Sequence, residues 1–390
     1  MDLEISMKKQ VITLAVSAAC AAPVFAQSSV TLYGLVDEGF NYTNNSGGKA
    51  AYQLKSGYAQ GSRWGLKGAE DLGGGLKAIF QLENGFDVNT GKLGQGGRMF
   101  GRQAYVGLTD ARFGTVTLGR QYDSLVDYLG QTTANGNWGG TLLSHPYDND
   151  NTDNAFRVNN TAKYTSPILA GFKFGGTYSF SNDTGFANNR QYSVGGQYAN
   201  AGLLVAAAYL QANNPGLTAG GAIASDAANF LSQHLRVFGG GVNYTFGGAT
   251  LGFVYSNTNV DQPAAMSTSA YIGPITPPNG GRLTALKFQN FEVNGKYQFT
   301  PVFFVGAQYV YTAATMDATS GNAKPKYHTL GLMADYNLSK RTDLYAQAAY
   351  QKVAGGKTGT VLDDALIPGA AGVSSTANQF AFRAAIRHKF

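Results

Sequence analysis

The chain has 390 residues, 13% of them charged and 44% hydrophobic, with 52 glycines, 23 tyrosines and 23 phenylalanines. Its net charge of +6 comes without a dense basic cluster or a nucleic-acid-binding motif, which argues against nucleic acid as a partner. The single cysteine, Cys20, excludes a disulfide framework and a thiolate metal site.

The first predicted element is a targeting segment. Lys8 and Lys9 precede an apolar run from Val11 to Ala22, then Val24-Phe25-Ala26. A short basic region, a short apolar region and small residues before the cut make residues 1–26 a secretory signal, exported by the Sec pathway and cleaved after Ala26. The run is too short for an ordinary spanning helix. Lipid attachment at Cys20 is the weaker reading, since Ser17 stands where such sites usually carry Leu.

From Val30 onward the pattern changes to a period of two, the mark of strands exposed differently on their two faces. Strands are predicted at 30–42, 61–71, 75–86, 98–109, 114–123, 157–166, 171–180, 191–199, 202–212, 234–246, 249–259, 286–299, 302–314, 326–338, 342–353 and 378–390. Over 286–299, one face reads Phe291, Val293, Gly295, Tyr297, Phe299 and the other Asn290, Glu292, Asn294, Lys296, Gln298. The last segment sets Phe380, Phe382, Ala384 and Ile386 against Arg383, Arg387 and Lys389. The polar faces suit a wet lumen. The apolar faces, edged by aromatics, suit lipid.

The connections alternate short and long. Leu72-Gly73-Gly74, Asn200-Ala201, Gly247-Gly248 and Ser339-Lys340-Arg341 are tight turns, whereas 43–60, 213–233, 260–285 and 354–376 are long. The longest loop, about 124–156, is the third. The prolines fall in the signal, the turns or the long loops, as a strand ladder requires. The expected architecture is all-β: a closed 16-stranded antiparallel transmembrane β-barrel occupying residues 27–390 as one domain. It implies a pore in an outer membrane.

Other motifs are weak. Asp148-Asn149-Asp150-Asn151-Thr152-Asp153 superficially matches a calcium loop, but it lacks the turn glycine and the closing glutamate, so a solvated polar loop is expected. His145, His234, His328 and His388 are too scattered for a metal site. The glycine clusters lack a phosphate-cradling pattern. No cofactor is expected.

Several stretches resemble the general diffusion porins of Gram-negative outer membranes, nearest their beta-proteobacterial branch. They are Val30-Thr31-Leu32-Tyr33-Gly34, Ser62 to Gly68 (SRWGLKG), Glu70 to Leu76 (EDLGGGL), Arg102 to Leu108 (RQAYVGL), Gly114 to Gln121 (GTVTLGRQ) and the final strand ending in Phe390. The resemblance implies a homotrimer in outer-membrane lipid and lipopolysaccharide. It implies a third loop folded into the lumen, and a terminal Phe390 read by the barrel-assembly machinery.

It also implies an arginine cluster on the wall, for which Arg63, Arg102 and Arg157 sit in matching contexts. Arg63 and Lys67 alternate against Trp64 and Leu66, so both should face the lumen. Arg102 shares its phase with Val106 and needs a twist or bulge to do so, and Arg157 has no fixed direction. Enterobacterial relatives carry a loop-tip glutamate before an aromatic and two glycines. Here neutral Asn137 precedes Trp138-Gly139-Gly140, with Asp123 and Asp127 nearby.

The expected function is passage of small hydrophilic solutes with a preference for anions, offset if Glu38, Glu83 and Asp37 reach the same level. A substrate-selective porin is the alternative. An outer-membrane enzyme lacks a recognisable triad, and adhesion by the long loops could coexist with a pore.

Overall fold

The computed structural model describes residues 29–265 and 274–390; the expected signal segment, Cys20 included, lies outside them. The strands are β1 (Ser29–Ser46), β2 (Lys49–Ser56), β3 (Arg63–Gly73), β4 (Leu76–Gly85), β5 (Gln103–Asp110), β6 (Gly114–Gln121), β7 (Val158–Thr165), β8 (Phe172–Ser179), β9 (Arg190–Asn200), β10 (Leu203–Asn213), β11 (Leu231–Phe246), β12 (Ala249–Ala265), β13 (Leu283–Thr300), β14 (Phe303–Ala318), β15 (Gly321–Ala323), β16 (Pro325–Asn337), β17 (Thr342–Gly355) and β18 (Asn378–Lys389). All join one antiparallel sheet, closed where Leu35–Thr43 of β1 pairs with Lys389–Ala381 of β18.

These segments make sixteen barrel strands. β2 pairs with Glu38–Ser46 of β1, and β3 pairs with Ser29–Leu35 below it, so the two form one barrel strand interrupted at 57–62. β15 likewise caps β16 alongside β14. The expected loop 43–60 is therefore corrected: most of it is a hairpin that continues the wall beside β1. Two proline assignments also change, because Pro263 lies near the end of β12 and Pro325 opens β16. Both sit at strand extremities, where a missing ladder donor costs little.

The tight turn after β3 uses glycine freedom: Gly73, Gly74 and Gly75 all have positive φ (87°, 63° and 91°). No helix among the described residues is long and apolar enough to cross a membrane. The strands do so with an apolar exterior: Val293 and Phe299 are 57% and 59% exposed, while Asn290 and Glu292 on the opposite face are fully buried. Aromatic pairs ring both ends of this band, such as Tyr297–Phe299 and Phe172–Tyr198 at the short-turn end, and Tyr255–Phe291 towards the long loops.

The apolar core lies inside the barrel. Leu125, Leu129, Tyr147 and Phe156, from the long segment between β6 and β7, pack with inward-facing Leu210, Val237, Val254 and Phe288 and with loop residues Ile223, Phe230 and Leu366. Loops thus fill part of the space that the barrel encloses.

Candidate functional site

The inner surface of β3–β5 carries a basic and aromatic cluster. Arg63 and Lys67 point inward as their phase predicts. Arg63 Nε donates to the carbonyl of Gly61 at 2.8 Å, and the Lys67 ammonium lies 5.2 Å from the centre of the Tyr33 ring. Glu83, two strands from β1, gathers the cluster. It accepts from Tyr33 at 2.9 Å, from Arg102 Nε at 2.8 Å and from Tyr122 at 3.4 Å. Gln81 donates to the Tyr33 hydroxyl at 2.7 Å and accepts from Tyr105 at 2.8 Å.

Arg102 reaches this group because β5 begins only at Gln103. The chain at Gly101-Arg102 lies outside the regular alternation, and Arg102 N donates to Glu83 O at 3.2 Å. Its Nη2 donates to the Tyr122 hydroxyl at 3.0 Å. The Arg157 guanidinium lies 5.9 Å from the centre of the same ring. Arg157 is 8% exposed and its Nε has no protein acceptor. Burial, and then the like charges of Arg102 and Arg63, pull its pKa down to about 10. The three expected arginines therefore stand together; Glu83 lies beside Arg63 and Arg102 and pairs with Arg102, and Asp153 lies beside Arg157. Tyr33, Tyr105 and Tyr122 are functional candidates that sequence reasoning did not single out; Tyr33 and Tyr105 share the inward phase of Lys67 and Glu83 and could have been found from it.

Between Tyr122 and Arg157, the segment 124–156 lies against the opposite wall. Its first turn, Ser124–Asp127, is capped by Asp123, whose Oδ1 accepts from Leu125 N at 2.8 Å and Val126 N at 3.4 Å, and whose Oδ2 accepts from Asn151 at 2.8 Å. Asp123 has no exposed surface. It was expected to line a pore, and that expectation is corrected: its charge is spent as a cap. Asp127 is partly exposed and paired with Lys163 of β7. Asn137 is exposed and accepts from Lys296 Nζ at 3.4 Å.

The segment Asp148–Asp153 is another correction. A solvated loop was expected, but Asp148 and Asp150 have no exposed surface. Asp148 accepts from Asp153 N and Ala155 N, both at 2.9 Å, and Asp150 lies 2.6 Å from His145 Nδ1. The polar residues serve internal hydrogen bonds that a buried loop must satisfy. No group of potential metal ligands occurs among the described residues.

Wall glycines seat this loop. A Cβ built on Gly195 would lie 2.6 Å from Tyr128, on Gly239 2.7 Å from Leu129, on Gly306 2.7 Å from Trp138 and on Gly331 2.8 Å from Leu143. Gly241 meets Thr132 more closely still. Amides of the wall then bind the loop backbone: Asn294 donates to Thr132 O at 3.1 Å, Gln308 to Leu143 O at 2.8 Å, and Gln347 to Gly139 O.

The offsetting carboxylates do not act as a group. Asp37 is fully buried and pairs with Arg383 at 2.8 Å, while Arg383 also stacks on Tyr58 at 4.5 Å. Glu38 pairs in register with Ile386, on the outward face of β1, and so leaves the inner wall. Glu83 alone reaches the arginines. Phe390 sits at the barrel seam, exchanging backbone hydrogen bonds of 3.1 and 3.0 Å with Gly34. His328 bonds to Tyr309 at 2.7 Å and His234 faces Asn213 at 3.4 Å.

Comparison with known proteins places this geometry. Residues 13–356 match the family model described as Gram-negative porin. The chain is 33% identical over 380 residues to an outer membrane porin protein of Bordetella pertussis, covering 89% of this chain and 94% of that one. It is 32% identical over 396 residues to outer membrane porin protein 32 of Delftia acidovorans, covering 98% and 100%. Among solved structures it is similar to an anion-selective porin from Comamonas acidovorans, with a TM-score of 0.71, 27% identity, and coverage of 93% and 100%. The sixteen-stranded barrel, its apolar exterior and the matched family together make this chain a member of the Gram-negative porin family, a channel protein of the outer membrane.

Proposed function

We propose that this porin passes small hydrophilic solutes by passive diffusion and prefers anions, and that the preference arises at a constriction between the arginine cluster and loop 124–156. The observation that carries the reading is the charge balance around Glu83. Glu83 faces Arg63 and Arg102 and is already bound to Arg102, and Asp153 of the loop faces Arg157, so three cations stand against two carboxylates and the cluster keeps a net positive charge. Loop 124–156 opposes it with Asp153 beside Arg157 and little else, since Asp123 is buried, Asp127 is bound to Lys163 and Asn137 is neutral. An anion meets a favourable potential there and a cation a barrier. The similarity to a protein described as an anion-selective porin supports the same sign.

Assembly as a homotrimer, contact with lipid and lipopolysaccharide around the aromatic rings, and recognition of Phe390 by the barrel-assembly machinery complete the reading. The test is conductance of residues 27–390 in planar bilayers, with one candidate solute added at rising concentration. A diffusion pore shows stepwise conductance and no saturable block. Saturable block by a single solute would instead favour a substrate-selective porin with a binding site in the constriction.

A further inference from the structure

Loop 124–156 is tied to the barrel at one charged and fully buried point. His145, Asp150 and Glu292 have no exposed surface. His145 Nδ1 lies 2.6 Å from Asp150 Oδ2, and Nε2 lies 2.8 Å from Glu292 Oε2. Both ring nitrogens face carboxylate oxygens. A neutral imidazole satisfies that geometry at one nitrogen alone; the doubly protonated ring satisfies it at both.

The carboxylates are fixed in turn. Asp150 accepts from Ser256 at 2.5 Å and Thr152 at 3.0 Å. Glu292 Oε1 accepts from Ala134 N at 2.7 Å and from Asn294 at 2.6 Å. Glu292 of β13 therefore grips the loop at Ala134 and again at His145. Among other titratable groups, Asp148 of the loop interacts with Asp150 and in turn with Asp153, while β12 and β13 contribute neutral Ser256, Asn290 and Asn294.

We propose that His145 is the positioning residue of the loop: its doubly protonated ring, held between Asp150 of the loop and Glu292 of the wall, fixes the loop against β12 and β13 and thereby sets the width of the passage beside the arginines. This rests on the reading of loop 124–156 as the constriction. Loss of the cation leaves two buried carboxylates without a counter-charge, and the loop moves off the wall to hydrate them.

Burial pulls the His145 pKa down, but Asp150 and Glu292 outweigh it and raise the value to about 10. Burial raises Asp150, and His145 outweighs that and holds it below the ordinary carboxylate value. The docking contribution of His145 is thus complete below its ordinary value of about 6.5 and is lost as pH rises through about 10. That of Asp150 is present above about 4 and lost as pH falls through its lowered value.

The test is single-channel recording of residues 27–390 from pH 6 to about 10.5, with folding verified by heat-modifiable gel migration. Wild type should be quiet at pH 6 and show a several-fold rise in open-channel noise, with new substates, at the alkaline end. His145→Gln should be noisy already at pH 6 and flat with pH. The neutral triple variant Asp150→Asn, His145→Gln, Glu292→Gln should restore quiet conductance without restoring the pH profile. Wild-type conductance and pH profile in His145→Gln would overturn the proposal. If that variant does not fold, wild-type noise that stays flat to the alkaline end overturns it, as does a rise that persists unchanged in the neutral triple variant, and a rise absent from the triple variant supports it. The reversal potential at pH 6 separates this from the underlying reading. Cation preference with a noisy His145→Gln sinks the selectivity reading and keeps the positioning role; anion preference with a silent His145→Gln does the reverse.

Discussion

The inner wall of this barrel is built in two ways. On β3–β5 the inward positions hold Arg63, Lys67, Gln81, Glu83 and Tyr105, with Arg102 and Tyr122 beside them, a basic surface bonded within itself. On β9–β17 they hold glycines, amides and apolar residues such as Gly195, Gly239, Asn294, Val254 and Phe288, covered by loops. Both regions obey the same alternation, and inward direction alone does not make a residue part of a channel. The second region is a seat, and the first is left to meet solute because the second is occupied.

The largest effect that would break this comparison lies at its margin. Replacing Asp37 by Ala strips the buried Arg383 of its counter-ion and should cost about 3–5 kcal/mol, seen as a marked fall in the temperature at which the folded band is lost on gels. An unchanged temperature would mean that the Asp37–Arg383 pair is hydrated. Next, Gly241→Leu drives a side chain into Thr132. It should destabilise loop docking by about 1–3 kcal/mol and alter conductance, whereas leucine at Gly220, which has open space around it and no positive φ, should leave conductance alone.

On the basic side the order of effects inverts. Arg157→Ala should leave thermal stability nearly unchanged and shift the zero-current potential towards zero, a few-fold loss of anion preference, because one charge supplies on the order of one kT of a potential of several kT. Lys67→Ala, further along β3 and set over the Tyr33 ring, should shift it in the same direction by less.

Much of the barrel was legible because lipid imposes a period of two. Phe291 and Val293 against Asn290 and Glu292 needed no knowledge of the rest of the chain. Arg63 and Lys67 followed from the same phase. Arg102 did not, because its direction depends on a break in the strand at Gly101 that no alternation encodes. Nor did the fate of Asp123, Asp148 and Glu292, since they are dry only because the loop carrying the first two packs against a wall distant in sequence that carries the third. A signal for that covering was present in the composition: glycines on inward positions such as Gly239, Gly241 and Gly306 mark where another segment must approach closely. The hairpin at β2 was missed although Tyr52 and Leu54 alternate with Gln53 and Lys55, because the pattern spans only Lys49–Ser56.

The most direct test of the division between a seated wall and a selecting wall is the reversal potential of residues 27–390 in a planar bilayer under a salt gradient. The account predicts an anion-favouring sign that weakens in Arg63→Ala and in Arg157→Ala. A cation-favouring sign from verified folded protein would contradict it, leaving the barrel in place and removing the arginine cluster as the source of selectivity.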